Sequence, residues 1–189
     1  MNIYGDRVIL RGVEESDIEM LRDMMNDPDT EHMTVGHHFP QSKAAQAQWF
    51  AHFSNDEKNQ RWIIEVRESG EAIGLIAITD IDWKSRDATY GIKLKANGPR
   101  GKGYASDSEL AMMRFVFEEM GLHRLSSSVL AYNAASIRMT ENCGAKREGL
   151  KRKAVFKGGK WHDLILYGVL YEDFLEAKNR LNWGSAPTP

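Results

Sequence analysis

Apolar positions along this chain recur first with a period of two and then with a period near 3.6, and each changeover marks a new element. Arg7 to Arg11 alternates around Val8, Ile9 and Leu10 and predicts a strand. Glu14 to Asp17 then opens a helix with Ile18, Leu21, Met24 and Met25 at helical spacing, which Asp27-Pro28-Asp29 stops. After a polar stretch holding His37, His38, Phe39 and Pro40, a second helix is predicted from Lys43 to Phe53. Trp62 to Val66 and Ala72 to Ile81 form a hairpin about the turn Glu68 to Glu71, the second strand apolar enough for burial on both faces. A turn at Lys84 to Asp87 leads into a fourth strand, Ala88 to Lys95, which ends at Ala96-Asn97-Gly98-Pro99.

The helix Ser106 to Met120 carries Leu110, Met113, Phe117 and Met120 on one stripe and is closed by Gly121. Arg124 to Ala131 is a fifth strand, leading through Tyr132 and Asn133 to a short helix that Gly144 ends. Strand, helix, strand in that order makes the fourth and fifth strands parallel. A last hairpin, Ala145 to Phe156 with Lys160 to Tyr171, turns at Lys157-Gly158-Gly159, and a final helix runs from Tyr171 to Leu181. The pattern holds no repeat and no linker, so the expectation is one α/β (α+β) domain over residues 1–183, with 184–189 a loose tail.

Between the fourth strand and its following helix the chain reads Arg100-Gly101-Lys102-Gly103-Tyr104-Ala105. Glycines without a Cβ let consecutive N–H groups converge, and the positive end of the following helix attracts an anion, so this loop is predicted to cradle a pyrophosphate beside Arg100 and Lys102. It is not a nucleoside-triphosphate loop, because Lys102 is followed by Gly103 rather than by a hydroxyl for magnesium. A dinucleotide fold fits no better: Ser106 stands where Gly or Ala is wanted, and His123, Arg124 and Leu125 stand where an acid is needed.

Composition narrows the function further. The 189 residues include one cysteine, Cys143, which excludes an internal disulfide and a cysteine-built zinc site, and the six histidines show no metal-helix spacing, so no metal is expected. A net charge of −2 argues against a nucleic-acid partner. No apolar run approaches the roughly 20 residues of a membrane span, and the start has no basic-then-apolar segment, so no membrane partner and a cytoplasmic location are expected.

The order of elements, the Arg100-x-x-Gly103-x-Ala105 loop, and Asn133-Ala134-Ala135-Ser136 followed by Cys143-Gly144 together resemble the GNAT superfamily of acetyl-CoA-dependent N-acetyltransferases. Arg7 to Arg11, Glu15-Ser16-Asp17 and Asn26-Asp27-Pro28 resemble the subgroup of ribosomal-protein N-terminal and spermidine acetyltransferases. The resemblance implies a single mixed, mostly antiparallel sheet, with helices on both faces and the fourth and fifth strands splayed so that pantetheine lies between them. It also implies acetyl-CoA as cosubstrate, an amine acceptor, and pairing as a homodimer.

The coenzyme's amides are then expected on the strand edge at Lys93, Leu94 and Lys95, and its pyrophosphate on Arg100 to Ala105. Asn133, whose amide can both donate and accept, is expected to contact the coenzyme, with a helix cap as the alternative, and Ser136 adds a hydroxyl contact. An attacking amine must lose a proton, yet the strand position where many relatives carry Glu holds Thr89. Asp80 and Asp82, two residues apart and so on one face, are the replacements, with ordinary turn-entry aspartates as the alternative. Seven residues after Asn133, where many relatives place an acid tyrosine, stands Thr140, a candidate hydrogen-bond partner for the sulfur. His37, His38, Phe39 and Trp83 are the acceptor-binding candidates. A peptide terminus, a polyamine or an amino sugar would each suit the chemistry, and a coenzyme-binding sensor without turnover is the competing class.

Overall fold

The computed structural model describes residues 1–36, 39–53, 57–96, 98 and 101–184. Eight strands form one sheet in the order β1-β2-β3-β4-β5-β6-β8-β7. They are β1 (Ile3–Tyr4), β2 (Val8–Arg11), β3 (Gln60–Val66), β4 (Ala72–Asp82), β5 (Asp87–Leu94), β6 (Arg124–Leu130), β7 (Lys146–Lys157) and β8 (Lys160–Leu170). The helices are α1 (Ile18–Asn26), α2 (Pro28–Met33), α3 (Lys43–Phe53), α4 (Tyr104–Glu118), α5 (Ala134–Asn142) and α6 (Tyr171–Arg180). The expected fourth and fifth strands are therefore β5 and β6, since the two-residue β1 precedes them. No helix among the described residues is long and apolar enough to cross a membrane.

Every neighbouring pair is antiparallel except β5 and β6, which run parallel through Asp87, Ala88 and Thr89 against Arg124, Leu125 and Ser126 and then part. Beyond that fork β5 stays on β4 as far as Gly74 opposite Leu94, while β6 stays on β8 as far as Leu130 opposite Leu164. The sheet thus consists of two half-sheets joined by a short ladder, as the splayed pair required. Three consecutive serines, Ser126 to Ser128, put short side chains where the two strands part.

One face of the sheet, carrying Ile76, Ile78, Ala88 and Tyr90, packs on Leu110, Met112, Met113 and Val116 of α4 to make the core. The alternate positions of β4 and β5, Leu75, Ala77, Thr79, Thr89 and Gly91, look instead toward α1 and α3. Helix α6 closes the core with Phe174, and the chain then returns to bury Trp183 against α4.

Pro28 does not simply end the opening helix. Its fixed φ and missing N–H suit a first helical turn, and Asp27 caps the new helix α2 by accepting from Thr30 N at 2.6 Å. Helix α4 likewise starts two residues ahead of expectation, because Gly103 at φ 76° serves as its left-handed cap.

Candidate functional site

The fork opens into a cleft of about 690 Å³ between the half-sheets, roofed by α1, α2 and α3. In the open stretch of β5 the strand alternation decides which backbone groups are free. Lys95 N donates to Ile73 O across to β4, and Lys93 O sits so close to Gly74 that a Cβ there would approach to 2.3 Å. Both backbones therefore face β4, and Tyr90, Ile92 and Leu94 present theirs to the cleft. Of the three residues predicted on this edge, Leu94 is on it, whereas Lys93 and Lys95 turn their peptide groups away. The Lys95 ammonium leaves as well, bonding Ala72 O at 2.8 Å and Glu71 at 3.2 Å. The Lys93 side chain does line the cleft, where burial and the nearby Lys157 charge lower its pKa against the opposing pull of Glu31.

The glycine loop is open at the surface. Gly101 and Gly103 both sit at φ 76°, and Gly101, Lys102 and Gly103 are exposed. The first helical hydrogen bond is Asp107 N to Gly103 O, so the N–H groups of Tyr104, Ala105 and Ser106 stand ahead of the ladder, ready for an anion. Arg7, which sequence reasoning missed, donates to Lys102 O at 2.6 Å and adds a cation beside the loop. Arg100 lies outside the described residues. Gly103→Ala is expected to lower stability by about 1 kcal/mol through its left-handed φ and to weaken coenzyme binding at least tenfold, measured by thermal melting and by calorimetric titration with CoA.

Asn133 stands on the cleft wall and makes two structural bonds. Its Oδ1 accepts from Ser136 N at 3.1 Å, capping α5, and its Nδ2 donates to Met33 O at 2.9 Å, holding α2 over the cleft. Ser136 and Thr140, four apart on α5, both line the cleft wall. The acceptor-side roof is pinned to the far half-sheet by two more contacts: the buried Lys157 ammonium on Glu31, and the Tyr132 hydroxyl donating to His32 O.

Asp80 and Asp82 do not reach the cleft. A bulge between Thr79 and Asp82, with Asp80 at φ 54°, breaks the alternation that put them on one inward face. Asp82 instead accepts from Lys84 N, Ser85 N and the Ser85 hydroxyl, and those bonds, the hydroxyl first, hold its carboxyl below the usual range. The turn-entry reading describes Asp82, whereas Asp80 belongs to the bulge, its N–H donating to Asn59 Oδ1. Trp83, 54% exposed, sits on that same turn, and Phe39 is 73% exposed, so neither lines the cleft. His37 and His38 lie outside the described residues.

The carboxylate that does line the cleft is Glu109 of α4, 1% exposed. Burial pushes its pKa up to about 7, moderated by Cys143, Tyr90 and Thr140 around it. None of these is aligned to bond Oε2, which has no hydrogen-bond partner, and the Tyr90 and Ser127 hydroxyls beside the fork are equally unpaired. Sequence reasoning passed over this residue, although the signal existed: an acid lying three and four residues before Met112 and Met113, inside the apolar stripe of α4. Cys143 is fully buried, and burial followed by the Glu109 charge drives its thiol far above the ordinary range, so it is no nucleophile.

Residues 7–146 match the family described as acetyltransferase (GNAT) domain. An uncharacterised prophage-derived N-acetyltransferase, YokL of Bacillus subtilis (strain 168), is 32% identical over 171 residues, covering 90% of this chain and 93% of that protein. A spermidine N(1)-acetyltransferase of Vibrio cholerae is 21% identical over 90% of this chain and 97% of its own length. Among solved structures, the Vibrio cholerae spermidine N-acetyltransferase in complex with CoA and spermine superposes with a TM-score of 0.83 at 21% identity, over 89% of this chain and 98% of that one.

Proposed function

The chain belongs to the GNAT acetyltransferase family and is an acetyl-CoA-dependent N-acetyltransferase; from that premise we propose that its acceptor is a primary amine on an apolar body, such as a peptide N-terminus with an apolar first residue, acetylated by direct attack. The observation that carries this reading is the acceptor-side wall. Leu21, Met24, Met25, Met33, Val35 and Trp49 line it, and the cations Arg61 and Lys93 share the cleft. Among the described residues Glu109 is its one carboxylate, and it stands on the α4 side. A polyamine needs several anions along its length, whereas an apolar body gains about 0.8 kcal/mol for each methylene it buries here.

Direct attack follows from chemistry already described, because Cys143 is too buried and too weakly acidic to carry an acyl group. The residues present fit the cosubstrate. The peptide groups of Tyr90, Ile92 and Leu94 suit an extended arm with two amides, and the N–H groups from Tyr104 to Ser106 suit a diphosphate. When bound, acetyl-CoA supplies the activated acetyl group. The chain's own part is to align that arm along β5, exclude water with the α1 to α3 roof, and leave the acceptor nitrogen an approach past Thr79 and Thr89.

The test follows free thiol release from acetyl-CoA with a panel of amines. Peptides with an apolar first residue are expected to exceed spermidine in kcat/KM by at least about tenfold, the worth of two buried methylenes. Polyamines turning over faster would overturn the acceptor reading.

A further inference from the structure

We propose that Glu109 is the proton carrier of the transfer, relaying to the departing sulfur the proton that the attacking nitrogen sheds. The inference rests on the direct-transfer reading above but on neither choice of acceptor.

Three observations meet at one place. The last β5–β6 rung is Thr89 with Ser126, so Tyr90 and Ser127 are the first residues of the open fork. Their hydroxyls and Glu109 Oε2 are three of the four buried side-chain oxygens and nitrogens left without a hydrogen-bond partner among the described residues. Such groups are costly to bury unpaired, and finding three together at the closed inner end of the fork marks a place built to meet a polar ligand. Opposite them, on α5, stands Thr140, whose hydroxyl is too weakly acidic to give up a proton to sulfur, and the Glu109 carboxyl lies beside it. The groups facing the carboxyl are the Tyr90 hydroxyl from β5 and the Thr140 hydroxyl and Cys143 thiol from α5, with the Ser127 hydroxyl of β6 next to Tyr90. Lys93 and Arg61 are the cations lining the same cleft.

The proton bookkeeping closes on this single group. The ammonium releases one proton to solvent before attack. As the C–N bond forms, the Glu109 carboxylate takes the proton that nitrogen sheds. As the C–S bond breaks with its electron pair on sulfur, Glu109 gives that proton up, leaving amide, CoA thiol and the original carboxylate. A carboxyl whose pKa stands near 7 is matched to both halves of the relay at neutral pH. Because the working form at the start is the carboxylate, the rate rises with pH through the pKa of Glu109.

Glu109→Gln keeps the shape and removes the proton capacity. It is expected to lower kcat about 100-fold with little change in either KM, and to abolish the rising limb of kcat near pH 7, while Glu109→Asp retains the limb at reduced rate. A merely structural role would move none of the pH dependence. A second measurement needs no acceptor: infrared difference spectra of the full chain should show a carboxyl band that titrates near neutrality, is missing in Glu109→Gln, and shifts when CoA is added. Glu109→Gln with kcat within threefold of the parent, a surviving limb near pH 7 that does not move when the amine is exchanged for one of different pKa, or a carboxyl band indifferent to CoA would each overturn the proposal. A wrong acceptor assignment shows up separately, as a changed order of amines with the limb intact.

Discussion

Asp107→Ala is expected to destabilise the protein by about 4 kcal/mol. The carboxylate is 5% exposed and accepts four hydrogen bonds from two parts of the chain, the turn at residues 6–8 and Trp183. Oδ2 takes Arg7 N at 2.7 Å and Val8 N at 2.9 Å, and Oδ1 takes Asp6 N at 2.9 Å together with the indole N–H of Trp183. Alanine strands all four donors at about 1–3 kcal/mol each where water cannot reach, and water partly relieves those nearer the surface. Asn is expected to recover under half of the loss, because its NH₂ would face N–H donors. Urea unfolding decides the matter, and a loss under 1 kcal/mol would show that this carboxylate does not anchor the N-terminal turn. Coenzyme binding should weaken in parallel, since Arg7 bonds the glycine loop from that same turn.

Glu109→Gln should gain stability under the conditions where it loses activity. The carboxyl pKa is about 7 in the folded chain against 4.5 for the free group, so between those values the folded state holds the extra proton. The parent's stability therefore falls as pH rises from about 4.5 to about 7 and stays lowered above. The full difference is roughly 3 kcal/mol at 1.36 kcal/mol per unit. Glutamine has no such dependence. Melting temperatures of the two should lie close together near pH 4.5 and separate by several degrees at pH 8, with the variant higher, given about 2–4 °C per kcal/mol at this size. Curves that run parallel across that range would refute it. Stability surrendered at a working carboxyl is the usual trade at a site that must hold a buried charge.

How far the sequence could be read differs from one residue to the next. Gly101 and Gly103 announced the loop because left-handed φ angles there leave few alternatives, and the helix and strands on either side followed from periodicity. The fork itself followed from resemblance and from the parallel crossover, since no local pattern marks where a ladder stops. Asp80 and Asp82 misled because alternation holds only in unbroken strands, and the β4 bulge turns on one residue. Asn133 was read as a coenzyme contact with a helix cap as the alternative, and it does cap α5 while standing on the cleft wall. Lys93 and Lys95 were assigned to the right strand and the wrong peptide edge, a distinction that only register supplies. Glu109 was hidden because a search for apolar positions at helical spacing reads past an acid among them, although an acid in such a stripe is the rarer and more telling event.

The acceptor wall described above owes much of its character to thioethers: Met24 and Met25 from α1 and Met33 from the end of α2, with Met139 across the cleft on α5. Thioethers are pliable, which lets one wall mould itself to acceptors of different outline, but they are also the side chains that peroxide converts to polar sulfoxides. Met33 is half exposed and stands first in line. Oxidative stress would therefore wet this wall and blunt amine capture while leaving the glycine loop untouched, so that the damaged protein would still hold CoA and fail to use it.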